Sequence, residues 1–423
     1  MRPLRLLTCG SVDDGKSTLI GRLLFDSKAL LVDQIEALER SRGTRNRDGT
    51  IDLSLVTDGL EAEREQGITI DVAHRYFATP RRKFIIADAP GHEQFTRNMV
   101  TAASRSDVAV LLIDVTKLDF TADELALLPQ TKRHAALAHL LGLRHVVVAV
   151  NKMDAIGYDA TRFRRVVAAF ERLATALDIA AFTPVPVSAL RGDGVVAHTE
   201  NTDWYTGPAL LPLLESLPLE EAKGDDGTAH LAVQWVTRDT DDEHRRWITG
   251  TLSDGAIAVG ASIRVFPGGD AATVMALRTA RGDASTARPG DAIALLLDRQ
   301  IDVARGDWLM AEAAPATGSR HANAALAWLD DAPLVIGRRY LARHGTRTLP
   351  VRVTGIRAAL DLEAGRWSNA STGAVAERNA IVQAELEFAA PLPLAPYTQS
   401  VARGAFVLVD PGTHTTAAAG MVA

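Results

Sequence analysis

The chain has 423 residues, 47% of them hydrophobic and 23% charged, with a formal net charge of −6. That length predicts two or three domains, each able to bury a core. The mild acidity argues against extensive nucleic-acid binding, no apolar run is long enough to span a bilayer, and the single cysteine, Cys9, excludes an internal disulfide and a cysteine-based metal site. The first expected strand, Leu4–Cys9, begins almost at Met1 with no visible leader, so a cytoplasmic protein is expected. Cys9 reads as a small core residue.

Directly after that strand comes Gly10-Ser11-Val12-Asp13-Asp14-Gly15-Lys16-Ser17-Thr18, which fits the G-x-x-x-x-G-K-[ST] pattern of a phosphate-binding loop. A run with helical apolar spacing, Ser17–Phe25, follows it. Glycines let backbone N–H groups turn onto phosphates, and the helix N-terminus adds partial positive charge. Lys16 would reach the β- and γ-phosphates, and the Ser17 hydroxyl would ligate Mg²⁺.

Further on, Gln66-Gly67-Ile68-Thr69-Ile70 carries a hydroxyl, Thr69, suited to be the second protein ligand of Mg²⁺ on a switch loop. Strands are expected at Ala73–Ala78 and Lys83–Asp88. The second runs into Asp88-Ala89-Pro90-Gly91, where Asp88 would hold Mg²⁺ through water and Gly91 would offer its N–H to a γ-phosphate. His92 comes next, at the place where Ras-like proteins carry the residue that orients the attacking water, so it is the catalytic candidate.

Helical spacing at Phe95–Ser104, Thr131–Leu141 and Thr161–Leu177 alternates with apolar strands at Val108–Asp114, His145–Asn151 and Ala181–Pro186. The strand ending at Asn151 opens Asn151-Lys152-Met153-Asp154. There Asp154 can accept from the guanine N1 and N2 donors, Asn151 can tie the base loop to the phosphate loop, and the Lys152 stem can cover the purine. Such a site selects guanine over adenine, which lacks both donors. Ser188-Ala189-Leu190 would complete the pocket. The expected fold of residues 1–220 is therefore an α/β P-loop GTPase domain: a mostly parallel sheet, helices on both faces, ligands at the carboxyl ends of the strands.

The polar stretch Pro218–Gly227 reads as a linker. Beyond it short strand-like runs are punctuated by Asp254-Gly255, Gly268-Gly269 and Pro289-Gly290. They are His230–Val236, Arg246–Leu252, Ser262–Phe266, Ala272–Ala276 and Ala292–Leu297. A second boundary near Ala314–Ser319 precedes runs at Ala324–Trp328, Arg338–His344, Leu349–Ala359, Ile381–Phe388 and Gly404–Val409. Two all-β barrels are expected, at 228–314 and 320–417, with the last residues finishing a strand or fraying.

These motifs resemble the elongation-factor class of GTPases, a G-domain followed by two β-barrels. Within that class the sequence is similar to the GTPase subunit of bacterial sulfate adenylyltransferase. Asp14 carries that distinction, because translation factors usually have His there. So do Glu63–Ala73, Arg82–Asp88, His92–Met99, Trp204–Pro208, Gly345–Thr348 and Ala419–Met421. The loop Thr237–Trp247 and the stretch Ala370–Asn379 depart from the family pattern. The resemblance implies a heterodimer in which a small subunit binds ATP and sulfate and makes adenosine 5′-phosphosulfate and pyrophosphate, while this chain hydrolyses GTP and drives that reaction. It also implies a hydrophobic gate of Val12 and Ile68 beside His92; because the sequence stops after the second barrel, the adenylylsulfate kinase domain fused to some relatives is expected to be absent. Two alternatives stand: a translation factor binding aminoacyl-tRNA or the ribosome, and a regulator that binds nucleotide without turnover. Asp14 and the acidity count against the first; Lys16, Thr69 and His92 count against the second.

Overall fold

The computed structural model describes residues 2–29, 53, 71–143, 145–218, 227–238, 245–314, 318–370 and 375–423. The first sheet has six strands: β1 Leu4–Cys9, β2 Ala73–Ala78, β3 Lys83–Asp88, β4 Val108–Asp114, β5 His145–Asn151 and β6 Phe182–Pro186. Their order is β2-β3-β1-β4-β5-β6. Only β2 is antiparallel to its neighbour. The central strands are long apolar runs because both faces are covered; every residue of β4 is buried. In β1, Leu6 lies between Ile86 of β3 and Val108 of β4. Chain order reverses at β1, so its carboxyl end is the switch point where α/β sheets hold ligands.

Among the described residues five α-helices accompany the sheet: α1 Lys16–Asp26, α2 Thr96–Ala103, α3 Pro129–Leu140, α4 Ala160–Leu177 and α5 Leu210–Ser216. Leu19 and Leu23 of α1 share a core with Leu210 and Leu214 of α5 and with Leu4, Ile86 and Val110. Helix α3 starts two residues before the apolar pattern suggests, because Pro129 takes the first helical position, where its missing N–H costs nothing. Helix α4 gains a residue because the Asp159 carboxylate caps it, accepting from the N–H groups of Thr161 and Arg162.

Most of the remaining described strands form two closed antiparallel barrels, and Ile257–Ala258 pairs apart from them with Thr286–Ala287. The first runs Ser262–Phe266, Trp308–Ala311, His230–Arg238, Arg246–Asp254, Ala292–Leu297, Ala271–Thr279 and back to its start. The second runs Arg339–His344, Ala405–Val409, Thr416–Val422, Ser319–Trp328, Ile381–Leu392, Arg347–Asp361 and back. Thr416–Val422 pairs on both edges, so the third sheet continues beyond the boundary expected at 417. Each barrel has its own apolar core. Between them, the buried Asp254 carboxylate accepts from Ser400 Oγ at 2.8 Å and Arg403 Nε at 3.2 Å. Gly345 accounts for part of the family-like Gly345–Thr348 stretch: its φ is +56°, and a Cβ there would sit 3.1 Å from the Trp308 ring. Thr346 Oγ1 donates to the Val233 carbonyl at 2.7 Å. The chain divides into two compact units, the first Met1–Leu219 with Asp361–Arg366, the second Glu220–Leu360 with Trp367–Ala423. Among the described residues no helix is long and apolar enough to cross a membrane.

Candidate functional site

The loop from Gly10 to Gly15 leaves the end of β1 and enters α1 through Gly15, whose φ of +91° suits glycine. A Cβ on Gly15 would lie 2.5 Å from Asn151 Nδ2, so the position also needs glycine for space. The first turn of α1, with Ser17 and Thr18, carries no side-chain cap and no acidic residue. Its amides and dipole are therefore open to an anion.

Lys16 is buried, and its Nζ donates to the carbonyls of Ser11 at 2.7 Å and Gly10 at 3.2 Å. Burial lowers its pKa, against the opposing pull of Asp88 and Asp14. Asp14 has no exposed surface. It accepts from the Ser11 N–H at 2.6 Å and pairs with Lys117 Nζ at 2.8 Å. Lys117 also donates to the Val12 carbonyl. Val12 is half-buried and Asp13 is exposed.

Asp88 ends β3, 2% exposed, and accepts from Thr8 Oγ1 of the neighbouring strand at 3.0 Å. Ala89, Pro90 and Gly91 are buried behind it. Gly91 packs directly on the phosphate loop: a Cβ there would be 2.4 Å from Lys16 Nζ and 2.9 Å from the Gly10 carbonyl. His92 is half-buried, precedes the short turn Glu93–Phe95 without capping it through its side chain, and has its Nδ1 3.2 Å from Gln94 Nε2. Ile68 and Thr69, expected in the gate and as a metal ligand, lie outside the described residues, as do residues 239–244 of the divergent loop and 371–374 of the divergent stretch.

The guanine-type motif ends β5. Asn151 Nδ2 donates to the Asp14 carbonyl at 2.7 Å, and its Oδ1 accepts from the Ala189 N–H at 2.9 Å. One buried amide thus joins three loops. Lys152 adopts φ +63° and pairs with Asp114 Oδ2 at 2.6 Å. Burial raises the pKa of Asp114, but bonds from Lys152 and Thr116 outweigh it and the net direction is down. Met153 is buried, its N–H on the Val187 carbonyl. Ser188 Oγ donates to Asp154 Oδ1 at 2.6 Å, which fixes the carboxylate that would read a base. Leu190 is half-buried, and Arg22 of α1 holds the carbonyls of Ala189 and Leu190.

The described candidates from all four motifs therefore meet at one edge of the sheet. Oxygen donors are what Mg²⁺ takes, and Ser17 and the anchored Asp88 supply a hydroxyl and a carboxylate. Several supporting residues have no motif of their own: Thr8, Arg22, Asp114 and Lys117. Asp114 ends a central strand, as Asp88 does, and that placement is a signal. Lys117 offers none. The Trp204–Pro208 stretch braces the base loops. Trp204 Nε1 donates to the Tyr158 carbonyl at 3.0 Å and the Tyr205 hydroxyl donates to that of Pro184 at 2.8 Å. Tyr158 in turn donates to Asp193 Oδ2 at 2.5 Å.

The family model for the elongation factor Tu GTP binding domain matches residues 1–222. The model for the GTP-eEF1A C-terminal domain-like family matches residues 321–423. Bifunctional enzyme NodQ of Azospirillum brasilense is 47% identical over 99% of this chain, which spans 66% of that relative, slightly under two thirds. Sulfate adenylyltransferase subunit 1 of Laribacter hongkongensis is 44% identical over 99% of this chain and 85% of its own length. Bifunctional enzyme CysN/CysC of Mycobacterium tuberculosis is 43% identical over 99% of this chain and 67% of its own length.

Proposed function

The chain belongs to the sulfate adenylyltransferase subunit 1 family of elongation factor Tu-like GTPases, and from that premise we propose that it is the GTP-hydrolysing subunit of a sulfate-activating enzyme. It binds GTP and couples its cleavage to formation of adenosine 5′-phosphosulfate and pyrophosphate from ATP and sulfate. A small subunit holds the ATP and sulfate, and the two chains form a heterodimer in the cytoplasm. The observation that carries this reading is the convergence of the phosphate and guanine motifs at one sheet edge, in a chain that aligns over 99% of its length with a subunit 1 relative.

Each group has a task in that reading. The Gly10–Thr18 loop, residues Gly10, Ser11, Val12, Asp13, Asp14, Gly15, Lys16, Ser17 and Thr18, wraps the phosphates, and Lys16 turns from its loop carbonyls to the β/γ oxygens. Asp88, Ala89, Pro90 and Gly91 approach the γ-phosphate from β3. Asn151, Lys152, Met153 and Asp154, with Ser188, Ala189 and Leu190, form the guanine pocket. Ser17, Thr69 and, through water, Asp88 would hold Mg²⁺, which supplies charge neutralisation at the phosphates. His92 orients the attacking water, and Val12 and Ile68 gate its approach. The domains are 1–220, 228–314 and 320–417, the last continuing into the strand that ends at Val422. No observation favours the translation-factor alternative: the acidic Asp14 stands where that class usually carries His.

The test is reconstitution with the small subunit. The tagged chain should retain that subunit on a column, and added GTP should raise the yield of adenosine 5′-phosphosulfate. Failure to associate, or a product yield indifferent to GTP, sinks the coupling.

A further inference from the structure

Helix α3 grips the chain on both sides of His92. Gln130 Nε2 donates to the Gly91 carbonyl at 3.3 Å. That carbonyl belongs to the peptide unit whose nitrogen is that of His92, so its orientation sets where His92 departs. One turn on, Arg133 Nη1 pairs with the Glu93 carboxylate at 2.8 Å and donates to Gln130 Oε1 at 2.8 Å.

The Gln130 amide cannot turn over without loss. Its nitrogen also donates to His134 Nε2 at 2.9 Å, and its oxygen faces the Arg133 guanidinium. Arg133 can only donate, so the Gln130 oxygen faces it and the amide nitrogen faces His134; that ring is 1% exposed, burial pushes its pKa down to about 3, and in the neutral tautomer that matches the amide Nε2 is the acceptor. A flipped amide would set its nitrogen against a cation and its oxygen against two acceptors.

The same peptide lies hard against the phosphate loop. Lys16 Nζ and the Gly10 carbonyl leave no room at Gly91 even for a methyl group. A γ-phosphate bonded to both Lys16 and the Gly91 N–H would separate the two, and in the latch proposed below Gly91 shares in that separation by stepping away from the loop. That step pulls the Gly91 carbonyl from Gln130, and theirs is the longest bond in the group. A diphosphate makes no such demand.

We propose that Gln130, steadied by Arg133 and His134, is a positioning residue that latches the Gly91–His92 peptide against the phosphate loop and restrains unstimulated GTP hydrolysis. The latch yields to the γ-phosphate, and docking of a partner completes its release. This inference rests on the reading of His92 as the hydrolytic residue. Because it is a restraint, breaking it should raise a rate, which a merely structural role would not do.

The experiment compares Gln130→Ala, the volume-conserving Gln130→Met and His92→Ala in the full chain without partner. Single-turnover GTP hydrolysis is followed, together with the affinities for GDP and a non-hydrolysable GTP analogue. Both Gln130 variants should hydrolyse GTP roughly 3- to 10-fold faster than the wild type, about the weight of one neutral hydrogen bond. The preference for the GTP analogue over GDP should rise by a similar factor, with GDP affinity unchanged. The partner-stimulated rate should stay at the wild-type value. An unstimulated rate that is unchanged or lower in the folded variants overturns the latch, as does an unchanged nucleotide preference. If Gln130→Ala keeps its full acceleration when His92→Ala is added to it, the reading of His92 has failed instead, and the two failures are separate in the data.

Discussion

Replacing His92 with alanine should leave GTP binding and association with the small subunit intact while removing most of the stimulated hydrolysis. Among the hydrogen bonds that place His92, its ring meets Gln94, and its other ring neighbour is Phe95, 6.2 Å between centroids. Neither contact shapes the phosphate loop, whose form depends on Asp14, Lys117 and Asn151. The substitution therefore removes a catalytic group and spares the binding surface. A positioned side chain that manages the proton or the water contributes about 10²- to 10⁴-fold. Activation of related GTPases by a docked partner reaches about 10⁵-fold, so the stimulated rate has that far to fall. Adenosine 5′-phosphosulfate should accumulate less, because GTP cleavage no longer drives its formation. Phosphate and pyrophosphate release, followed separately with the small subunit, ATP, sulfate and GTP, report the two reactions. A mutant making wild-type amounts of product would remove His92 from the mechanism.

The second large effect is a change of base. Asp154→Asn should lose GTP and gain xanthosine triphosphate. Oδ1 of Asp154 already accepts from Ser188 Oγ at 2.6 Å, so an asparagine keeping that bond directs its nitrogen toward the base. An amide nitrogen donates where a carboxylate oxygen accepts, and xanthine offers a carbonyl oxygen where guanine offers an amine. Sites built around such bonds discriminate by about 10⁴-fold, since the wrong partner leaves buried polar groups unpaired. Competition of the two triphosphates for the mutant measures the switch. A variant that still prefers GTP means that Asp154 does not read the base.

The sequence makes the α/β half of the fold easy to read, and the reason is burial. Strands β4 and β5 are covered on both faces, so they appear as long apolar runs whose expected ends are those observed; β1, interrupted only by the exposed Arg5 and by Thr8, is read to the same ends. The barrels are read less fully. Trp308–Ala311 is a four-residue strand between a glycine turn and the inter-barrel boundary, too short to show a period. Gly282–Ala284 and Arg366–Asn369 are polar and edge-on, with no apolar alternation to mark them. Thr416–Val422 looks like a fraying tail because its residues are small. They are small because Phe406 lies over them: a Cβ on Gly420 would come within 2.2 Å of its ring. In the site, the residues that would touch nucleotide are legible because a loop, a turn and a strand end confine them to short local patterns. Those that hold them are not. Lys117 meets Asp14 across 103 positions and Thr8 meets Asp88 across 80, and no local pattern records either pair.

The bridge made by Asn151 bears on entropy. Irregular loops lose about 1–2 kcal/mol per backbone residue when they are fixed, and a ligand that had to order them would spend its interactions on that loss. Here a single buried amide reaches the Asp14 carbonyl and the Ala189 N–H from the end of β5. The three loops are therefore ordered when the sheet forms, before any ligand arrives. The interactions a nucleotide then makes with the phosphate half and the base half go to affinity and discrimination instead of assembly. The site comes to its ligand preorganised.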